Sequence, residues 1–401
     1  VDIALEFDNP HGVFLPGCEV TGSISFTVRD SPLKARAVLI SVSGQARTNW
    51  TVSERHTTNT YTSNGTQTQA THRTVTYAAT CPYAEGEAVV WSPAVGESSG
   101  HIPVGTHKFP FKFLLPSNCP PSFEGTHGYV RYYCKAKIDR PWKFDHTAKR
   151  LFTVVPTFDL NLVPSAAHPA STNHAKELGF LFFKSGTINL TARLCKGGFV
   201  PGESIQVQVD VENNTSKSIT KIELKLVEMS RYVAYRYGQT VNPIAPTSRS
   251  SEQRVHKRTV NQFEEKVETE KGAGLQYSRL IPIPPVVPTF NECPIITVEY
   301  FVKVKVSTSG AIGSSVATQV PVLIGTIPVR IPWQTAPYPE LPQGMPAPVM
   351  PANDFPDAPP SYEECVFGAG TIKDEEDNKD FAPRYVFYPN ISPSAPPLEN
   401  Q

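Results

Sequence analysis

The chain of 401 residues has room for two domains of ~150 residues and a tail. Lysine plus arginine equals aspartate plus glutamate at 37 each, so no net field draws nucleic acid or an acidic membrane. No apolar run approaches the ~20 residues that span a bilayer, nothing near the N-terminus reads as a signal peptide, and seven scattered cysteines lack a CxxC pair, which argues against a disulfide framework or structural zinc and predicts a cytosolic protein.

In chain order, Gly12-Val13-Phe14-Leu15-Pro16-Gly17 forms a turn, and Val20, Gly22, Ile24, Phe26 and Val28 then alternate with polar residues as a half-buried strand. Residues 51–79 are rich in Thr, Ser, Asn and Gln and read as a long loop. Val130, Tyr132, Cys134, Ala136 and Ile138 alternate again, which puts the Cys134 thiol in a core. A linker is expected around Pro156 to Ala175. The opening then repeats: Gly198-Phe199-Val200-Pro201-Gly202 leads into Ile205, Val207, Val209 and Val211, at an offset of 185 residues from Pro16 to Pro201. Ile222, Leu224 and Leu226 follow, then a charged stretch 250–275 that reads as a second loop. The longest alternation runs Ile296, Val298, Tyr300, Val302, Val304 and Val306, and Val298-Glu299-Tyr300-Phe301 echoes Val130-Arg131-Tyr132-Tyr133. Strands with one apolar and one polar face belong to antiparallel sheets, and pairs of such sheets make sandwiches. The prediction is an all-β chain of two related antiparallel β-sandwiches, 1–155 and 176–330.

From Pro332 the composition shifts, and the last 71 residues hold 15 of the 39 prolines. That tail, 331–401, is predicted to be disordered. It carries two short proline signals, Pro359-Pro360-Ser361-Tyr362 (PPxY) and Pro393-Ser394-Ala395-Pro396 (PSAP). A polyproline II segment has no internal hydrogen bonds, so its ring faces and carbonyls stay free for a partner.

The residues of the head resemble the α-arrestins, or arrestin-domain-containing proteins. The resemblance is carried by Phe109-Pro110-Phe111-Lys112-Phe113-Leu114-Leu115-Pro116, Ser122-Phe123-Glu124-Gly125, Gly128 to Tyr132 and Ile138-Asp139-Arg140-Pro141-Trp142. In the second half it is carried by Gly198 to Ile205, Ile281 to Thr289, Ile296 to Val306 and Ile324 to Pro328. It implies two tandem arrestin-like sandwiches in a cytosolic adaptor recruited peripherally to plasma membrane and endosomes. The sandwiches would hold membrane receptors or transporters as cargo, and Pro359, Pro360 and Tyr362 would engage the WW domains of HECT-type ubiquitin ligases. A degenerate second WW ligand is Pro383 with Tyr385, which lacks the first proline. Pro393, Ser394, Ala395 and Pro396 are similar to the late-domain signal read by the ESCRT-I complex. The chain departs from the family where Gly179-Phe180-Leu181 replaces a common Cys-Cys pair, and it has no clathrin-box pattern.

No G-x-S-x-G, P-loop, H-E-x-x-H or Cys-His pattern appears, so neither catalysis nor a cofactor or metal is predicted. The alternative reading is an arrestin-fold, retromer-like sorting scaffold that recruits no ligase. The basic group Arg140, Lys143, Lys149 and Arg150 reads as a solvated face, with anionic lipid or a phosphorylated cargo tail as its functional alternative.

Overall fold

The computed structural model describes residues 1–62, 65–180, 183–243, 251–310, 315–330, 365–368, 372–373 and 380–389. The first half contains β1 (Ile3–Phe7), β2 (Val13–Phe14), β3 (Glu19–Val28), β4 (Leu33–Ala35), β5 (Ala37–Thr62) and β6 (Gly65–Trp91). It continues through β7 (Gly100–Ile102), β8 (Gly105–Leu114), β9 (Phe123–Gly125), β10 (Gly128–Asp139) and β11 (His146–Val154). Strands β1-β3-β8 form one layer and β2-β11-β10-β5-β6 the other, with β9 on β10.

A 3-10 turn at Leu160–Leu162 and the one-turn helix α1 (Pro164–Ala167) lead into the second half. There follow β12 (Ala170–Phe180), β13 (Phe183–Leu194), β14 (Gly198–Phe199), β15 (Ser204–Thr215) and β16 (Ile219–Arg236). The last strands of this half are β17 (Ser251–Lys266), β18 (Leu275–Pro282), β19 (Ile296–Thr308) and β20 (Ser315–Ile324). Sheet β12-β13-β15-β18 faces β14-β20-β19-β16, and β17 pairs the free side of β16. The fold is all-β, in two sandwiches.

The period-two reading is realised side chain by side chain. Val130, Tyr132, Cys134, Ala136 and Ile138 of β10 are all buried, as are Ile296, Val298, Tyr300, Val302, Val304 and Val306 of β19. The repeat is structural too. Strand β2 pairs parallel with β11, and β14 pairs parallel with β20. The two tyrosines of the echo make the same bond: Tyr132 Oη donates to Pro120 O at 2.8 Å, and Tyr300 Oη to Val287 O at 2.7 Å. Each ties a core strand to the proline-rich approach that precedes it.

Both expected loops turn out to be largely strand, although 267–274 remains a loop. Residues 51–79 continue β5 and begin β6, paired from Thr51↔Thr76 out to Thr62↔Gly65. Residues 251–266 form β17, paired to β16 along its length. In β17 the charged and polar residues occupy both faces, so no apolar alternation marks the strand, and one edge of its backbone is paired by the ladder to β16. Thr-rich β5 and β6 combine good strand propensity with the same silence of hydrophobic pattern. The expected linker is structured as well, with Leu160 and Ala166 buried and β12 beginning at Ala170.

A further departure lies in the tail. Residues 380–389 do not float free of the head. They include β23 (Asp380–Phe381) and β24 (Arg384–Val386), which pair with β22 (Ile372–Lys373) and β21 (Cys365–Phe367) respectively. The disorder expected across 331–401 averaged over a segment in which four of the eight residues 381–388 are aromatic.

Candidate functional site at the domain junction

The two large sheets meet where β6 pairs with β16, Tyr235 opposite Ala78 and Arg236 opposite Tyr77. Side chains reinforce that seam. Thr48 Oγ1 donates to Val233 O at 2.7 Å, Trp50 Nε1 to Glu252 Oε1 at 3.1 Å, and Arg236 pairs with Glu54 at 2.7 Å. Phe123 meets Phe290 edge-on at 5.9 Å, and the His127 ring stands between Trp50 and Tyr232 at 5.9 and 5.5 Å.

Over the seam lies an open cleft of about 780 Å³, lined by Arg47, Asn49, Tyr129, Arg131, Glu228 and Arg258 among others. Two ion pairs organise it. Arg131 grips Glu124 with both ends of its fork, at 2.7 and 2.9 Å, and Arg258 reaches Glu228 at 2.6 Å. Burial pushes the Glu124 carboxyl up, while Arg131 pulls it down. The described residues contain no cluster of three or more metal-ligating side chains. The cleft can bind by shape, charge and hydrogen bonds.

The tail segment seals one end of this junction. Tyr385 is 9% exposed, its ring among Phe123, Val287, Glu228 and Arg258, with a remaining cavity of about 100 Å³ beside it. Burial first, then the charges of Glu228 and Glu124, push its phenol far above the ordinary tyrosine range, so the hydroxyl stays protonated. Val386 and Tyr388 enter a small apolar cluster that draws Val13 and Val155 from the first half and Val200 and Val329 from the second. Arg384 N donates to Thr153 Oγ1 at 3.2 Å, Tyr388 N to Pro201 O at 3.0 Å, and Tyr388 Oη to Thr326 O at 2.6 Å. A Cβ at Gly202 would lie 2.1 Å from the Tyr388 carbonyl oxygen, so the turn after Pro201 must be glycine for this strap to sit down. The strap is therefore bonded to both sandwiches.

This corrects the expectation for Pro383 and Tyr385. A WW ligand presents its tyrosine ring to a partner's pocket, and here the Tyr385 ring is in the protein's own core. Pro359, Pro360 and Tyr362, and Pro393, Ser394, Ala395 and Pro396, lie outside the described residues. Tyr362 nevertheless precedes β21 by only three positions, and β21 pairs with β24 through Cys365↔Val386, Val366↔Tyr385 and Phe367↔Arg384. Sequence reading missed the strap because it judged the tail as a whole. The signal was there in Phe381, Tyr385, Val386, Phe387 and Tyr388, a local apolar density that the surrounding prolines diluted.

The chain matches the family model "Arrestin (or S-antigen), N-terminal domain" over residues 3–161 and "Arrestin (or S-antigen), C-terminal domain" over residues 184–329. It is 28% identical over 383 residues to arrestin domain-containing protein 17 of Caenorhabditis elegans, a match covering 92% of this chain and 80% of that protein. That share of the chain is too large to fit within residues 1–330, so the likeness continues into the tail. Two human proteins, arrestin domain-containing protein 1 (29% identical) and arrestin domain-containing protein 4 (28%), match 68% of the chain, which spans 57% and 62% of their lengths.

Proposed function

Because the chain belongs to the α-arrestin, or arrestin-domain-containing, family, we propose that it is a trafficking adaptor that holds membrane cargo on its two sandwiches and recruits a ubiquitin ligase through its tail. The recruiting residues are Pro359, Pro360 and Tyr362, taken by the WW domain of a HECT-type ligase. The prolines need little further ordering to enter an aromatic groove, and Tyr362 fills the neighbouring pocket. The cargo, a receptor or transporter, meets the junction cleft and the long β5–β6 hairpin beside it. The ligase then modifies the cargo or the adaptor, and the complex is sorted from plasma membrane to endosome. Pro393 to Pro396 hand it to ESCRT-I.

One observation carries the reading. The PPxY signal stands three residues ahead of a strand that is hydrogen-bonded to a strap on the head, so a ligase bound there is held close to whatever the head holds. A span of three residues is at most ~10 Å. With the Tyr385 ring buried, the reading assigns ligase recruitment to Pro359, Pro360 and Tyr362.

The test is a titration of the full chain with a tandem WW domain. The expected affinity is micromolar, about −8 kcal/mol. Tyr362→Ala should abolish binding, whereas Tyr385→Phe should leave it unchanged. Binding that survives Tyr362→Ala would overturn this assignment.

A further inference from the structure

The β10–β11 hairpin ends in Arg140-Pro141-Trp142-Lys143-Phe144-Asp145. Trp142 and Phe144 are 101% and 97% exposed. Trp142 lies at φ +62°, a left-handed conformation that a bulky residue rarely adopts. The turn is held from both sides. Asp145 accepts the Arg140 backbone N–H at 2.9 Å and pairs with Lys137 at 3.1 Å, while Arg36 grips Asp139 at 2.6 Å. Two large rings are thus presented to water on a fixed mount.

Charge surrounds them. Residues 135–150 contain Lys135, Lys137, Arg140, Lys143, Lys149 and Arg150 against only Asp139 and Asp145, in a chain of net charge zero. Both of those acids are already in ion pairs. Beside the tip is a cleft of about 650 Å³ whose lining includes Arg29, Lys34, Arg140 and Lys143 against Asp2 and Asp30. Arg140 lines this cleft, with one end of its guanidinium 2.9 Å from His146 Nε2. Register places other loops at this same end of the sandwich. Val38 pairs with both Trp91 and Ile138, and Val28 with Gly105, so the loops bearing the exposed Val95 and Val104 emerge alongside. This end lies away from the junction with the second sandwich.

We propose that this tip is a membrane contact: Trp142 and Phe144 enter the headgroup–acyl boundary of an anionic bilayer, and Lys143, Arg140 and the cleft cations meet the lipid phosphates. Convexity and chemistry both favour a bilayer over a protein pocket. A tryptophan and a phenylalanine flanked by cations suit a boundary that is apolar below and negatively charged above. The inference rests on the adaptor reading only for its need of a membrane.

The experiment is sedimentation of the full chain with vesicles of phosphatidylcholine, alone or with about one-third phosphatidylserine. The protein should bind the anionic vesicles, and acyl-chain bromine should quench its tryptophan fluorescence. The double variant Trp142→Ala/Phe144→Ala should lose on the order of tenfold in partitioning. Lys143→Gln should lose about fivefold. Trp142→Phe should keep binding while losing the quenching. All these side chains face solvent, so thermal melts of the variants should superimpose on the wild type. Wild-type protein that ignores anionic vesicles, or a double variant that binds them equally well, would overturn the assignment, as would a tip that captures a protein partner without lipid. The assay contains neither ligase nor cargo, so its failure and a failure of WW-domain binding are read independently.

Discussion

Lys196 and Glu203 form an ion pair that is 2% and 1% exposed, with Nζ 2.7 Å from Oε1. The second carboxylate oxygen accepts the Val200 N–H at 2.8 Å, and the ammonium stands 4.9 Å above the Phe199 ring. Removing one partner from such a pair leaves a desolvated charge, which costs more than the pair itself contributes. Glu203→Gln should therefore cost about 3–5 kcal/mol in denaturant unfolding. Adding Lys196→Met should restore most of that loss, since the glutamine still accepts from Val200. A double variant as unstable as the single one would show that packing, and not the charge, holds this turn.

At the scale of elements, the legible strands were those with one wet and one dry face. Cys134 on β10 and Val302 on β19 alternate with lysines, and both are buried as that pattern requires. Strand β17 and the outer parts of β5 and β6 gave no such signal, because few of their side chains enter the core and polar residues occupy both faces. The cleft was illegible for another reason. Glu124 and Arg131 are seven residues apart, but Glu228 and Arg258 are brought beside them only by sheet pairing. The strap was hidden by averaging. Its docking makes a direct prediction. Tyr385→Ala removes the ring that fills the junction, a loss of about 3 kcal/mol or more, equivalent to at least ~100-fold in the population of the undocked segment. Trypsin should then cut after Arg384 about that much faster, up to the rate of a free peptide, while the melting of the head barely moves. Unchanged cleavage would show that the contact contributes little to holding the segment.

The whole molecule responds to pH through its seam. Burial, and after it the nearby Arg254, lower the pKa of His127, whose ring stands edge-on between Trp50 of one sandwich and Tyr232 of the other. The folded state thus favours neutral His127. Its stability is complete above the unfolded value of ~6.5 and declines as pH falls from there toward the lower folded value. His146 is lowered for the same first reason and adds to the decline. Melting curves between about pH 7 and 5 should show progressive loss, shallower but still present in His127→Gln. A profile identical to wild type would remove His127 from the account.

The pairing of β21 with β24 sets a scale for all that happens at the tail. On the proposed reading, a ligase that took Tyr362 would be moored like a boat on a short painter. Which lysines on a client came within range would then depend on orientation, and two clients held at different angles would leave with differently placed ubiquitin.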